Sequence, residues 1–87
     1  MKIFFHRDFK KSYAKLRTSD KKKFDGHLAS FAEDPFAAAL GNHALHGKYR
    51  GYRSINIGGD LRAIYKIIGN DEYLSAEVGT HAKLYGE

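Results

Sequence analysis

Apolar positions follow two different periods along this 87-residue chain, and the period changes near Tyr52. After the short apolar run from Lys2 to Phe5, the residues Phe5, Phe9, Tyr13 and Leu16 return every three or four positions, the spacing of one helical face. This predicts a short strand and then a helix over about Arg7 to Leu16. Thr18, Ser19 and Asp20 offer side-chain oxygens to cap a second helix, on which Phe24, Leu28 and Phe31 repeat the helical spacing until Asp34-Pro35 stops it. The two helices form a hairpin. Phe36 to Leu40 has room for one more turn, Gly41 breaks it, and Asn42 to Gly51 reads as a loop.

From Tyr52 the period is two. Ile55 and Ile57 share the parity of a core-facing edge, which turns Tyr52, Ser54 and Asn56 to the opposite face. Gly58-Gly59-Asp60 makes a tight turn, and Leu61 to Ile68 is apolar enough for a central strand buried on both faces. After a second turn at Gly69-Asn70-Asp71, the last strand should face Leu74, Ala76 and Val78 to the core. Tyr73, Ser75, Glu77, Gly79 and, by continuation, His81 then fall on the other side. The expected fold is α+β, in the order β-α-α-β-β-β: an antiparallel meander sheet with the helical hairpin packed on one face and a polar face left open. No repeat or linker interrupts it, so residues 1–87 read as a single domain.

Composition adds three constraints. Hydrophobic residues make up 43% of the chain and include six Tyr and six Phe, enough for an ordered core. The formal charge of +5 favours polyanionic partners, although Lys21-Lys22-Lys23 reads first as the solvated start of a helix. There is no cysteine, which excludes disulfides and thiolate metal ligands. Neither a signal-peptide core nor an apolar run of ~20 residues is present, so a soluble, cytoplasmic protein without a membrane partner is expected.

Two segments carry the candidate chemistry. Gly47-Lys48-Tyr49-Arg50-Gly51-Tyr52-Arg53 interleaves cations with aromatic rings just before a strand, and Val78-Gly79-Thr80-His81-Ala82-Lys83-Leu84-Tyr85-Gly86 sets a histidine after one. Together they point to RNA. Metal-free RNA cleavage needs a group to take the 2′-OH proton, a group to protonate the departing oxygen, and cations around the phosphorane. Histidine suits either proton role because its ordinary pKa is ~6.5. His81 is the best acid, with Lys83 close by, and Asp60 or His43 is the base. Lys48, Arg50, Arg53 and Arg62 are placed to hold phosphate oxygens, Asn56 shares the polar face, and Tyr49, Tyr52 or Tyr85 can stack on a splayed base.

Plainer roles compete with these. Asp60 is first a turn former, His46 rivals His43, Tyr65 belongs to the core, and His6 and His27 are structural or exposed. His43, His46, Asp60 and His81 offer nitrogen and oxygen ligands, but a loop His-x-x-His without cysteine is a weak metal signature, so no metal or other cofactor is expected.

The block His43-x-Leu45-x-Gly47-x-Tyr49-x-Gly51-Tyr52-Arg53, the strand Asp60-Leu61-Arg62-Ala63-Ile64-Tyr65-Lys66 and the tail Gly79-Thr80-His81-Ala82-x-Leu84-Tyr85 follow one another in an order that resembles the YafQ branch of the RelE/ParE toxin superfamily. The likeness covers essentially the whole chain. It implies a bacterial or archaeal type II toxin that cleaves mRNA on the ribosome, in the A site against 16S rRNA, and is held inactive by a cognate antitoxin. Operator DNA would be met only through the antitoxin complex. By position, the resemblance makes His81 the general acid toward the leaving 5′ oxygen and puts a second catalytic histidine at His43. It also puts a catalytic aspartate at Asp60 and the C-terminal aromatic, usually Phe, at Tyr85. Ser54 and Asn56 stand where such enzymes carry an acidic residue and a histidine. Neither can act as a base near neutral pH, so His81 works with a reduced set of partners. Two other classes fit the same residues: a non-cleaving or ParE-like toxin, and a module that mainly binds its antitoxin.

Overall fold

A computed structural model describes residues 1–86. The chain runs β1 (Lys2–Phe5), α1 (Arg7–Ala14), α2 (Thr18–Glu33), a 3₁₀ turn Ala38–Leu40, β2 (His43–Ala44), a 3₁₀ turn Gly47–Tyr49, β3 (Arg53–Gly58), β4 (Leu61–Gly69), β5 (Glu72–Thr80) and α3 (His81–Tyr85). Helix α1 starts where the His6 ring nitrogen Nδ1 accepts the Asp8 N–H at 3.0 Å. Helix α2 stops at Asp34, whose extended backbone is what a residue before proline prefers.

The five strands lie in the order β1-β5-β4-β3-β2. Strands β2 to β5 are antiparallel neighbours, but β1 pairs with β5 in parallel, from Lys2 opposite Glu72 to Phe5 opposite Ser75. The α+β class and the helical hairpin are as expected, while the purely antiparallel meander is corrected to a mixed sheet. The helices carry the chain from one edge to the other, and the meander then returns strand by strand until β5 meets β1 running the same way. A second addition is β2, a two-residue strand where a loop was expected, too short to leave a periodic trace.

One face of the sheet carries the core. Phe9, Phe24 and Phe31 from the helices pack with Leu40, Ile55, Ile57, Leu61, Ala63, Tyr65 and Val78. The expected parity of β5 holds only for its second half. Register passes from Ile64 opposite Glu77 to Tyr65 opposite Ser75, so Ala76 is an extra residue and forms a bulge. A one-residue slip exchanges faces. Tyr73 and Ser75 therefore join the core side, where Tyr73 meets the Phe31 ring at 5.3 Å, and Leu74 moves to the opposite side. The bulge overturns the expectation that Leu74 and Ala76 face the core.

The second face is partly covered, not open along its length. Helix α3 lies over it and buries Leu84 against the strip that holds Gly79, with Ile64 and Ser54 also fully enclosed.

Candidate active site

Two rows of residues run across the second face. His43, Ser54, Ile64 and Glu77 stand directly opposite one another on β2, β3, β4 and β5, and beside them stand Asn56, Arg62 and Gly79. Directly opposed residues share a face. His81 joins these rows by a different route from the expected one. The strand ends at Thr80, whose hydroxyl accepts the Lys83 N–H at 3.2 Å and caps α3, so His81 is the first helical residue, not an extension of β5. Its N–H donates to the Asp60 carbonyl at 2.9 Å, which ties the tail to the β3–β4 turn.

The result is a groove of about 330 Å³ lined by His43, Leu45, Ser54, Asn56, Arg62, His81 and Tyr85. His81 and Tyr85 are one helical turn apart, and their rings meet edge to face with centroids 4.6 Å apart. On the far wall His43 Nδ1 lies 2.9 Å from the Gly41 carbonyl oxygen. A carbonyl only accepts, so Nδ1 carries the proton and, in the neutral ring, Nε2 keeps the lone pair. Gly41 itself is left-handed, with φ +55, and a Cβ there would come within 2.6 Å of Asn56 Nδ2. Only glycine lets that backbone approach the groove wall. Arg62 uses Nη1 to donate to the carbonyls of Gly59 at 2.8 Å and Leu61 at 3.1 Å, which fixes the guanidinium and leaves its other N–H groups for a ligand. Ser54 Oγ and Tyr85 Oη are both buried in this wall with no hydrogen-bond partner. Such groups are rare and costly in a folded protein.

His81, His43, Tyr85, Arg62 and Asn56, separate in the sequence, thus share one groove. Others do not reach it. Asp60 has an exposed side chain in the turn and contributes its backbone carbonyl. Arg53 stands opposite Tyr65 and so on the helical side, where Nε donates to Asn42 Oδ1 at 2.7 Å and the guanidinium lies 5.2 Å over the Phe36 ring. That removes it from the expected phosphate set. Arg50 and Lys83 are exposed beyond the groove lining.

Lys48, Tyr49 and Tyr52 line a neighbouring hollow of about 300 Å³ together with His6, Asp8 and Glu77. Tyr49 lines this hollow and touches the groove through Tyr85: its ring is edge-on to Tyr85 at 6.1 Å and to Tyr52 at 6.3 Å. Its hydroxyl donates to Glu77 Oε2 at 2.7 Å. Burial first, then that hydrogen bond and the carboxylate's charge, push the Tyr49 pKa up to about 12. Sequence reasoning put Glu77 on the correct face but did not pair it with Tyr49, because 28 residues separate them and no local pattern links the two. Leu45 was also missed as a lining residue. Among the described residues, no group of three His, Cys, Asp or Glu side chains is arranged to hold a metal ion, and no helix is long and apolar enough to cross a membrane.

A family model for the bacterial toxin of type II toxin-antitoxin systems, YafQ, matches residues 1–86. The chain belongs to the YafQ family. It is a toxin of the type II toxin-antitoxin kind. Its fold superposes on crystalline E. coli YafQ with a TM-score of 0.82 at 24% identity, over 97% of each chain. The YoeB/ParE toxin from Agrobacterium tumefaciens shares the fold with a TM-score of 0.77 at 20% identity, over 93% of this chain and 99% of that one. The E. coli DinJ-YafQ toxin-antitoxin complex matches at 26% identity with a TM-score of 0.70, over 97% of this chain and 96% of the other. No curated protein sequence matches the chain.

Proposed function

We propose that this YafQ-family toxin is an endoribonuclease that cuts ribosome-bound mRNA by metal-free acid-base catalysis. The observation that carries the reading is the convergence of His81, His43, Arg62 and Tyr85 on one groove. His43, with Nδ1 held by the Gly41 carbonyl, presents Nε2 as the base that takes the 2′-OH proton. The 2′ oxygen then bonds to the adjacent phosphorus. The bond from phosphorus to the 5′ oxygen breaks, and His81 gives its proton to that leaving oxygen. The products are a 2′,3′-cyclic phosphate and a 5′-hydroxyl. Arg62 donates to the phosphorane oxygens, where a pre-set donor acts most strongly. Asp60 acts through its backbone, by holding His81.

The natural counterpart of a +5 protein that closes such a groove is a cognate antitoxin with an acidic or amphipathic segment, and operator DNA is bound through their complex. The solved DinJ-YafQ complex supports a protein partner of this kind. The site of action is the cytoplasm, in the ribosomal A site against 16S rRNA. Induction of the chain in bacteria should stop growth within a generation, with messages shortened inside their coding regions, and co-expression of the antitoxin should restore growth. Arrest with full-length messages would contradict cleavage and support the non-cleaving reading, to which Ser54 and Asn56 lend weight because neither is a base.

A further inference from the structure

We propose that Asn42 is a positioning residue for His43, clamped from behind the sheet by Tyr65, Arg53 and the Pro35 carbonyl so that the imidazole is held at the groove. This rests on the endoribonuclease reading and deepens it by naming what aims the base. Strand β2 is only His43–Ala44, at the edge of the sheet, and it meets β3 with His43 opposite Ser54 and Ala44 opposite Arg53. So short a ladder is a weak anchor for a group that must come within hydrogen-bond reach of a 2′-OH. The side chain just before His43 supplies a second anchor. Neighbours along an extended chain point to opposite faces, so while His43 lines the groove, Asn42 turns to the helical side and meets Tyr65 there.

The Asn42 carboxamide is bonded at both its nitrogen and its oxygen. Nδ2 donates to the Pro35 carbonyl at 2.8 Å and to Tyr65 Oη at 2.6 Å, and Oδ1 accepts from Arg53 Nε at 2.7 Å. A carbonyl only accepts and an arginine Nε only donates, so the amide can sit only one way round. Its partners are themselves fixed. Tyr65 is buried on β4 with its ring edge-on to Phe31, and the Arg53 guanidinium rests over the Phe36 ring. Leu40 on the other side is also fully buried, which pins Gly41 between a core side chain and a clamped one. The Gly41 carbonyl is the acceptor that holds His43 Nδ1 at 2.9 Å. The clamp therefore sets the backbone and the tautomer of the base together, and it gives Arg53 and Tyr65 a part in a reaction that neither touches.

The test pairs single-turnover cleavage on programmed ribosomes with the nitrogen NMR shifts of the His43 ring at mildly alkaline pH. Asn42→Ala should lower the saturated rate about 10–100-fold, the scale of loss when a reacting group is misplaced by an ångström. The half-saturating concentration should stay within about twofold, because Arg62 is untouched. Tyr65→Phe, which keeps the buried ring and removes one acceptor on the far face of the sheet, should lower the rate about three- to tenfold. Added to Asn42→Ala, it should cost less than about twofold more, since the two act through one bond. In the neutral wild-type ring the proton should sit on Nδ1, and Asn42→Ala should turn this into a mixture of the two tautomers. Thermal melts check the fold, and if Asn42→Ala does not fold, Tyr65→Phe decides. Unchanged rates in folded variants, a loss carried by the half-saturating concentration, or slower cleavage with the Nδ1 tautomer intact would overturn the inference. If the wild type leaves the message whole, the endoribonuclease reading falls, and the tautomer in Asn42→Ala alone decides whether the clamp holds the ring.

Discussion

His81→Ala should slow message cleavage by about 10²–10⁴-fold, the usual contribution of a positioned acid or base, and abolish growth arrest. The fold should survive. His81 is only partly buried, α3 is capped by Thr80 rather than by the histidine, and the backbone bond to Asp60 does not need the imidazole. Loss of the ring does remove the edge-to-face contact with Tyr85, so a companion variant, His81→Gln, keeps bulk beside Tyr85 while removing the titratable group. Both variants should melt near the wild-type temperature and both should lose cleavage. Single-turnover rates on programmed ribosomes, with thermal melts as the control, check this. Growth arrest that persists in a folded His81→Ala protein would mean that toxicity does not pass through proton transfer.

The largest effect on stability is expected at Phe31. Its ring is almost fully buried on α2 and stands edge-on to Tyr65 at 4.9 Å and to Tyr73 at 5.3 Å, so it links the helical hairpin to β4 and β5. Phe31→Ala should cost about 3–5 kcal/mol, the transfer and cavity terms for a buried Phe, which include contact with two aromatic rings. Typical stabilities of about 0.05–0.15 kcal/mol per residue put a chain of this length at about 4–13 kcal/mol, so the variant loses much of its margin. Urea titration followed by circular dichroism would measure the change. A loss below about 1 kcal/mol would show that α2 is not held to the sheet by this ring. Phe31→Leu, which keeps apolar volume, should recover part of the loss.

The two aromatic helical stripes and the alternation of Ile55 and Ile57 were legible because each is a repeat that local geometry must obey. What escaped was set by register between distant strands. The Ala76 bulge leaves no local sign, since the alternation of Leu74, Ala76 and Val78 is unbroken, yet the slip exchanges Tyr73 and Leu74 between faces. Parallel pairing of β1 with β5 joins residues some seventy apart and has no periodic trace of its own.

The site was legible to a similar extent. His81, His43, Asn56, Arg62 and Tyr85 were all picked out, and the structure brings them to one groove. Arg53 was misjudged because its chemistry suggested phosphate, whereas parity with Ile55 and Ile57 puts it on the helical side; the period-two pattern contained that information. The route of His81 was also misread. Thr80 is a good helix cap, and a capping residue followed by Ala82 and Leu84 marks a helix start more plainly than a continued strand. The buried hydroxyls of Ser54 and Tyr85 belong to neither error, since the absence of a partner is visible only in three dimensions.

Acid-base cleavage of mRNA in the groove between His43 and His81 is tested most directly with purified wild-type protein, ribosomes programmed with a defined message, and analysis of the product ends. Attack by the 2′-OH gives a cut within the A-site codon that leaves a 2′,3′-cyclic phosphate on the upstream fragment and a 5′-hydroxyl on the downstream one. Message that stays intact at saturating protein, or ends bearing a 3′-hydroxyl and a 5′-phosphate, would contradict it.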